Sequence, residues 1–139
     1  MDKVFFDTWT PRALGLMRIV LGYLVLAHGT AKLLHVPHQP MFDNLQVASL
    51  IGLAGIIELV GGALLIVGLF TRLTAFILSG EMAFAYFIGH AGAKGNFLVP
   101  QLNGGELAVV YCFVFLFMAA AGAGAWSIDA ARGKGAVAA

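Results

Sequence analysis

The stretch Gly55-Ile-Ile-Glu-Leu-Val-Gly-Gly62 lies in the middle of a long apolar run and contains a single charged side chain. At about 100° per residue, Gly55, Glu58 and Gly62 fall on one face of a helix. Glycines on a helix face let a neighbouring helix approach closely. The stretch therefore predicts a helix that packs tightly around one buried carboxylate.

The composition around this stretch is that of a membrane protein. Of the 139 residues, 60% are hydrophobic and 11% are charged, whereas soluble domains carry about 25% charged residues. About 20 apolar residues cross a bilayer as a helix, and four runs meet or approach that length: residues 13–34, 48–70, 72–91 and 104–122. We expect an all-α integral membrane bundle of four transmembrane helices that forms a single domain over residues 1–139. A cleaved signal peptide is a poor alternative for the first run, because the apolar region is too long.

The positive charges are distributed unevenly between the two ends of the predicted bundle. The end that holds the termini carries Lys3, Arg12, Arg72, Arg132 and Lys134, and the opposite end carries Lys32 and Lys94. Cytoplasmic segments are enriched in Lys and Arg, so we expect both termini in the cytoplasm. Because only Thr71 and Arg72 interrupt the apolar pattern between the second and third runs, these two helices should form a tight antiparallel hairpin.

Several ionisable side chains lie inside the predicted spans. An ionised group at the bilayer centre costs at least about 2.5–3.5 kcal/mol, so such groups usually face the bundle interior and pair with one another. Helical spacing puts the basic residues of the first helix on one face with its glycines, and His28 at the edge of that face. The face consists of Gly15, Arg18, Gly22, Gly29 and Lys32.

Depth along the helices predicts two layers of pairs. Arg18 should pair with Glu58 and Glu81 near the midplane. Lys32 and His28 should pair with Glu106 toward the outer side. These groups are either structural ion pairs or a site for protons or for a small polar or aromatic molecule. Three carboxylates against two permanent cations leave one carboxyl to hold a proton or to pair with a histidine.

Other chemistries find little support. The chain has no Lys/Arg cluster for nucleic acid, no P-loop, nucleophile elbow or dinucleotide motif, and one lone cysteine, Cys112, expected to pack as a hydrophobe. His35 and His38 supply only two of the ligands that a metal needs, so no metal site is expected. His28 and His90 are weak haem candidates, because His90 is nine residues from Glu81 and should point to the opposite helix face.

The tyrosines allow two interpretations. Tyr23, Tyr86 and Tyr111 are possible hydrogen-bond donors to a quinone-like ligand. A membrane tyrosine more often satisfies its hydroxyl on a neighbouring helix, and both interpretations stay open.

The sequence resembles the DoxX family of small bacterial four-helix membrane proteins over nearly its whole length. The resemblance is carried by the order and spacing of short motifs rather than by any one of them. The motifs are Leu14-Gly-Leu-Met-Arg18-Ile-Val-Leu-Gly22, Ala27-His28-Gly29-Thr-Ala-Lys32-Leu33, Ile57-Glu58-Leu59-Val-Gly61-Gly62, Gly68-Leu-Phe-Thr71-Arg72, Asn103-Gly104-Gly105-Glu106-Leu107 and Gly122-Ala-Gly124-Ala-Trp126-Ser127-Ile-Asp129. The family usually has proline where this chain has Ala123.

The resemblance implies four spans in the bacterial plasma (inner) membrane and a role beside quinone-linked oxidoreductases, from one of which the family takes its name. The sequence shows no electron carrier of its own, so such a role implies a quinone-binding membrane subunit for a soluble oxidoreductase partner. The residues that the resemblance offers for ligand binding or proton handling are Arg18, His28, Lys32, Glu58, Glu81 and Glu106.

Three classes of function stay open at this point, and the sequence does not decide whether the chain is an enzyme. The first is the quinone-linked oxidoreductase subunit. The second is a non-enzymatic module that binds or assembles a soluble partner at the membrane. The third is a small transporter or permeation protein, which with four helices would need a homo-oligomer. Glycine-rich helix faces make such an oligomer plausible.

Overall fold

A computed structural model describes residues 2–133 of the chain, and within that range every regular element is helical. The long helices are α1 (Lys3–Leu34), α2 (Leu50–Val67), α3 (Thr71–Phe84) and α4 (Glu106–Ala121). Helix α3 continues without a break as a π-helical segment, Ala85–Ala91, and a short turn, Gly92–Lys94. Single helical turns occupy Pro40–Phe42, Pro100–Asn103 and Ile128–Ala131. The expected all-α class is confirmed.

Three helical stretches are long and apolar enough to cross a membrane: Lys3–Leu34, Leu50–Val67 and Thr71–Lys94. Helix α4 is equally apolar but has 16 residues, which is about 24 Å at 1.5 Å per residue. It is shorter than the predicted 104–122 because Gly105 precedes it and Gly122, with a φ of 99°, ends it. Large apolar side chains on these helices face outward, as lipid-facing side chains do. The chain is a multi-pass membrane protein with three to four spanning helices.

Helix α1 begins ten residues earlier than the predicted span. The helix includes the polar residues before the apolar run, because Pro11 does not interrupt it. Proline removes the hydrogen bond to the carbonyl four residues back, here that of Asp7, which lies on an exposed part of the helix. The Pro11 carbonyl accepts a 2.8 Å hydrogen bond from the Ala125 N–H, which ties the start of α1 to the segment after α4.

Local capping explains both ends of α2. The Ser49 hydroxyl accepts a hydrogen bond of 3.1 Å from the Gly52 N–H, a standard N-cap. Gly68 ends the helix with a φ of 70°, a left-handed conformation that glycine adopts without strain. Helix α3 begins three residues later, so the predicted tight hairpin is confirmed.

The bundle consists of two closely packed helix pairs, α1 with α2 and α3 with α4. The first pair meets through the predicted glycine faces: a Cβ at Gly29 would lie 2.5 Å from the Leu59 backbone nitrogen, and one at Gly62 would lie 2.5 Å from that of Leu26. Helices α2 and α3 share a smaller contact, in which the Leu78 side chain packs against Gly61. Leu78 belongs to the main apolar core together with Val25, Leu65, Ala75, Met82, Tyr111, Phe115 and Met118.

Candidate functional site

A cavity of about 940 Å³ lies between the helix pairs, in the half of the bundle away from the termini. Its walls are mostly apolar, with α2 and α3 on its two sides and parts of α1 and α4 completing it. This volume falls within the range of about 300–1,000 Å³ that is usual for small-molecule sites. The polar groups that line it are His28, Lys32, Glu58, Glu81, His90 and Tyr111.

Lys32 and Glu58 form an ion pair at this cavity. The Lys32 ammonium nitrogen lies 2.5 Å from a carboxylate oxygen of Glu58, and the two side chains are 14% and 4% exposed. The pair follows from the antiparallel register of α1 and α2, in which Gly29 lies against the backbone of Glu58 and Leu59. Lys32 is one helical turn beyond Gly29, so its long side chain reaches back to Glu58.

Glu81 lies close enough to Glu58 and Lys32 to interact electrostatically with both. Its Oε2 atom is buried and has no hydrogen-bond partner among residues 2–133. A buried polar atom without a partner is costly, so this oxygen is available to a ligand or to a proton. With one ammonium and two carboxyls, the cluster is electrically neutral when one carboxyl carries a proton.

His90 lines the same cavity as Glu81, which corrects the expectation that they lie on opposite faces of the third helix. Nine residues of regular α-helix would turn the chain by about half a turn. The π-helical segment Ala85–Ala91 has more residues in each turn and so brings His90 back toward the cavity. Such segments are frequent at functional sites. The His90 Nδ1 atom lies 3.3 Å from the carbonyl oxygen of Asn103.

The predicted pairing of Arg18 with Glu58 and Glu81 was wrong. Arg18 is completely buried and donates hydrogen bonds to five backbone carbonyls instead. Two of them, those of Leu65 and Ile66, belong to the last turn of α2. The other three belong to the segment after α4: Ala123 at 2.8 Å, Ala125 at 3.1 Å and Trp126 at 2.8 Å.

The helix register explains why Arg18 does not reach the carboxylates. Gly22, one turn along α1, already lies against Leu65 and Ile66, so Arg18 is level with the end of α2. The last carbonyls of a helix lack intrahelical partners and carry partial negative charge. The guanidinium therefore binds these carbonyls rather than Glu58, which lies about 10 Å farther along α2.

The predicted outer layer of Lys32 and His28 with Glu106 was also wrong. Glu106 is exposed at the first position of α4 and does not line the cavity. A carboxylate in the first turn of a helix is favoured by the helix dipole, which is sufficient reason for its position. His28 is exposed on α1 and lines the cavity, whereas Lys32 pairs with Glu58.

The structural roles of two residues were not predicted from the sequence. Arg72 hydrogen bonds to the carbonyls of Ala119 and Ala120 and so caps α4 as Arg18 caps α2. Asp129 accepts hydrogen bonds from the N–H groups of Thr71, at 2.8 Å, and Phe70, at 3.1 Å. Both roles depend on contacts between segments far apart in sequence. The available signal for the short helix that carries Asp129 was Ser127, because serine favours the N-cap position, and its side chain accepts a hydrogen bond from the Ala130 N–H.

Asp129 is held in its ionised form. Burial alone would raise its pKa. The hydrogen bonds from Thr71 and Phe70 and the nearby charge of Arg132 lower it by a larger amount, so the pKa lies below its ordinary value. Asp129 therefore caps the N-terminus of α3 as a carboxylate, the form that interacts best with a helix N-terminus.

The three tyrosines have different environments. Tyr111 is buried on α4 and lines the cavity. Tyr86 donates a 2.7 Å hydrogen bond to the carbonyl oxygen of Phe97 and accepts one from Asn103, so it stabilises the loop after α3. Tyr23 is 63% exposed on the surface of α1. Of the three, Tyr111 alone lines the cavity.

His35 and His38 of the first loop do not form a metal site with a third ligand in the described part of the chain. The His38 Nε2 atom lies 2.7 Å from an Asp43 oxygen, and within residues 2–133 no group of three His, Cys, Asp or Glu residues could hold a metal ion. Cys112 is half-buried, and the Ser79 hydroxyl donates a 2.7 Å hydrogen bond to its carbonyl.

Comparison with known proteins gives two matches. The DoxX family model matches residues 13–91, which contain α2, α3 and most of α1, including Arg18, Lys32, Glu58 and Glu81. An uncharacterized protein of Haemophilus influenzae is 48% identical over 124 residues, which cover 88% of this chain and 92% of that protein. No solved structure matches the chain. The chain belongs to the DoxX family.

Proposed function

We propose that this protein is the quinone-binding membrane subunit of an oxidoreductase system, and that the cavity between α2 and α3 is its ligand site. The observation that carries the proposal is the cluster of Lys32, Glu58 and Glu81 on the wall of a large apolar cavity inside the membrane. Ionisable residues inside transmembrane segments are rare and often mark pathways for substrates, ions or protons.

The chemistry of the cavity suits a quinone. A quinone is a flat ring with two carbonyl oxygens that accept hydrogen bonds, and it takes up protons when it is reduced. The Lys32 ammonium, the Tyr111 hydroxyl and a protonated carboxyl are donors for such oxygens. The Glu58–Glu81 pair, which holds one proton in the neutral cluster, offers that proton beside the ring. Electrons would come from a soluble partner, because no electron carrier is evident in the sequence.

The proposal includes a topology of four spans with both termini in the cytoplasm of a bacterium and the protein in its inner membrane. Arg12, Arg72 and Arg132 support it, since all three are exposed at the end of the bundle that holds the termini. Lys134 lies outside the described residues. Single cysteines at positions 12 and 94, introduced after Cys112 has been changed to alanine, would test it in intact cells: a membrane-impermeant thiol reagent should label position 94 and spare position 12.

The test of the ligand site is the quinone content of the purified protein. Wild type, Glu58→Gln, Glu81→Gln and the control Glu106→Gln are purified in mild detergent, extracted with organic solvent and assayed by mass spectrometry. Glu106→Gln is a matched control because the same chemical change falls outside the cavity. We expect near-stoichiometric quinone in wild type and in the control, and at least fivefold less in both cavity variants. Wild type without quinone, or equal content in all four proteins, would reject the proposal.

A second candidate, a module that binds a soluble partner, has one observation in its favour. The first two turns of α1 extend beyond the segment that packs against residues 122–126, and they expose Val4, Phe5, Phe6 and Trp9. If α1 is a docking element, Phe5→Ser/Phe6→Ser should abolish retention of a partner on affinity purification and leave the quinone content unchanged.

A further inference from the structure

Gly80 lies in the interior of α3, next to Glu81, and faces an open part of the cavity. A Cβ built at Gly80 would have no neighbour within 4 Å, whereas a Cβ at Gly22 or Gly29 would lie within 3 Å of the backbone of α2. Glycine in a helix interior costs about 1 kcal/mol relative to alanine. No helix in the described part of the chain uses the space above Gly80, so close helix packing does not account for this glycine.

The cavity opens sideways. Leu53 on α2 and Ile77 and Phe84 on α3 line it and are also 52%, 46% and 69% exposed. These residues belong to stretches long and apolar enough to span the membrane, so the medium at the opening is the hydrocarbon of the bilayer rather than water.

The polar groups lie at the closed end of this opening. Leu78 packs against Gly61 where α2 and α3 are still in contact. Glu58 and Glu81 are the next residues toward the cavity on each helix, about one turn farther from the hairpin. Beyond them the two facing walls carry apolar side chains such as Leu53 and Phe84. An occupant would therefore meet the two carboxyls at its inner end and mostly apolar walls from there to His90 near the outer end.

We infer that the cavity takes a lipid-borne amphiphile, with a hydrogen-bonding ring or head group and a long apolar chain, which enters sideways from the bilayer and passes over Gly80 to reach Glu81. The inference rests on the proposed function for its assumption that the cavity is a ligand site. It goes further in naming the route, the need for an apolar chain and Gly80 as the residue that keeps the route open.

The test uses two probes with the same ring, an isoprenoid benzoquinone and a benzoquinone without a chain. Wild type, Gly80→Leu and the control Ala63→Leu are placed in phosphatidylcholine nanodiscs with each probe, and the bound probe is counted by native mass spectrometry. Ala63 is exposed on α2 and lies outside the cavity. Leucine favours helix over glycine, so Gly80→Leu should fold, and circular dichroism checks that it does.

We expect the isoprenoid probe to bind wild type and Ala63→Leu at least tenfold better than it binds Gly80→Leu, and at least tenfold better than the short probe binds wild type. Equal binding of both probes, with no effect of Gly80→Leu, would overturn the inference and leave the proposed function standing. A phospholipid retained by wild type and lost from Gly80→Leu, with neither quinone bound, would support the inference and reject the quinone. Loss of a dimer in Gly80→Leu, or an empty cavity under all conditions, would overturn it.

Discussion

The Lys32 ammonium on α1 lies 2.5 Å from a carboxylate oxygen of Glu58 on α2, and Glu81 on α3 lines the same cavity and interacts electrostatically with both. Three membrane helices thus meet at one set of ionisable groups. The Lys32–Glu58 pair joins the helices of the closely packed pair, whereas Glu81 approaches across the gap that forms the cavity. The cluster combines an ion pair with a buried carboxyl oxygen that has no hydrogen-bond partner among residues 2–133.

Removal of one member of the Lys32–Glu58 pair should cost more stability than removal of both. Glu58→Gln removes the carboxylate that lies 2.5 Å from the buried Lys32 ammonium and leaves only Glu81 nearby. Loss of one member of a buried pair costs about 3–5 kcal/mol in soluble proteins. Polar contacts in membranes are usually weaker, about 0.6–1.7 kcal/mol. Glu58→Gln should therefore lower the free energy of unfolding by an amount between the membrane range and the soluble-protein range. Lys32→Met/Glu58→Gln should recover part of the loss. Unfolding by sodium dodecyl sulfate, followed by circular dichroism, gives the comparison, and additive losses in the double variant would contradict it.

Arg18 should be essential for stability, and lysine should not replace it. Its guanidinium donates to carbonyls from two separate segments, whereas an ammonium has three donors and no planar geometry. Arg18→Lys should destabilise the protein by at least about 2 kcal/mol, and Arg12→Lys, an exposed site, should have little effect. The midpoint of thermal unfolding in detergent measures both, and equal midpoints for the two variants would contradict the carbonyl contacts.

Glycines in the helix interfaces should respond oppositely to glycines on the cavity wall. A methyl group at Gly29 would press on the backbone of Leu59 at 2.5 Å, so Gly29→Ala should cost about 1–3 kcal/mol by overpacking. Gly80→Ala meets no neighbour within 4 Å and should stabilise α3 by up to about 1 kcal/mol. Unfolding midpoints that fall in both variants would show that the space above Gly80 is not free.

Asp129 should make the stability of the protein depend on acid pH. Its folded pKa is below its ordinary value, so the carboxylate contributes stability above the ordinary Asp pKa of about 3.9. That contribution is lost as the pH falls through the lower, folded pKa. Asp129→Asn should therefore be less stable than wild type at pH 7, and the difference should shrink toward pH 3. Thermal unfolding at each pH provides the comparison, and a constant difference would contradict this role.

The sequence was sufficient for the helices and for their glycine faces, because hydrophobic runs and helical spacing are local properties. Gly15, Arg18, Gly22 and Gly29 are buried on one face of α1 as the spacing predicts. The partners of the charged residues were not predictable in the same way. They depend on the vertical register of α1 against α2. An error of two or three residues in a predicted helix end shifts that register by most of a turn.

Two further features needed the three-dimensional structure. The position of His90 depends on the π-helical segment, whose hydrogen bonding leaves no pattern in hydrophobicity. The cavity depends on how far α2 and α3 separate beyond Gly61 and Leu78, which is a property of the packed bundle. Gly80 was visible in the sequence, but the empty space above it was not.

The contacts of Arg18 can form only in a fixed order during synthesis, because all of its partners lie downstream in the chain. When α1 leaves the ribosome, none of the five carbonyls that Arg18 binds has yet been made. Two become available with the end of α2, and the remaining three belong to residues 123–126, about 105 positions downstream. A nascent chain that ends before Ala123 therefore carries a guanidinium whose hydrogen bonds are only partly formed. The bundle can close fully around Arg18 only when the segment after α4 is present.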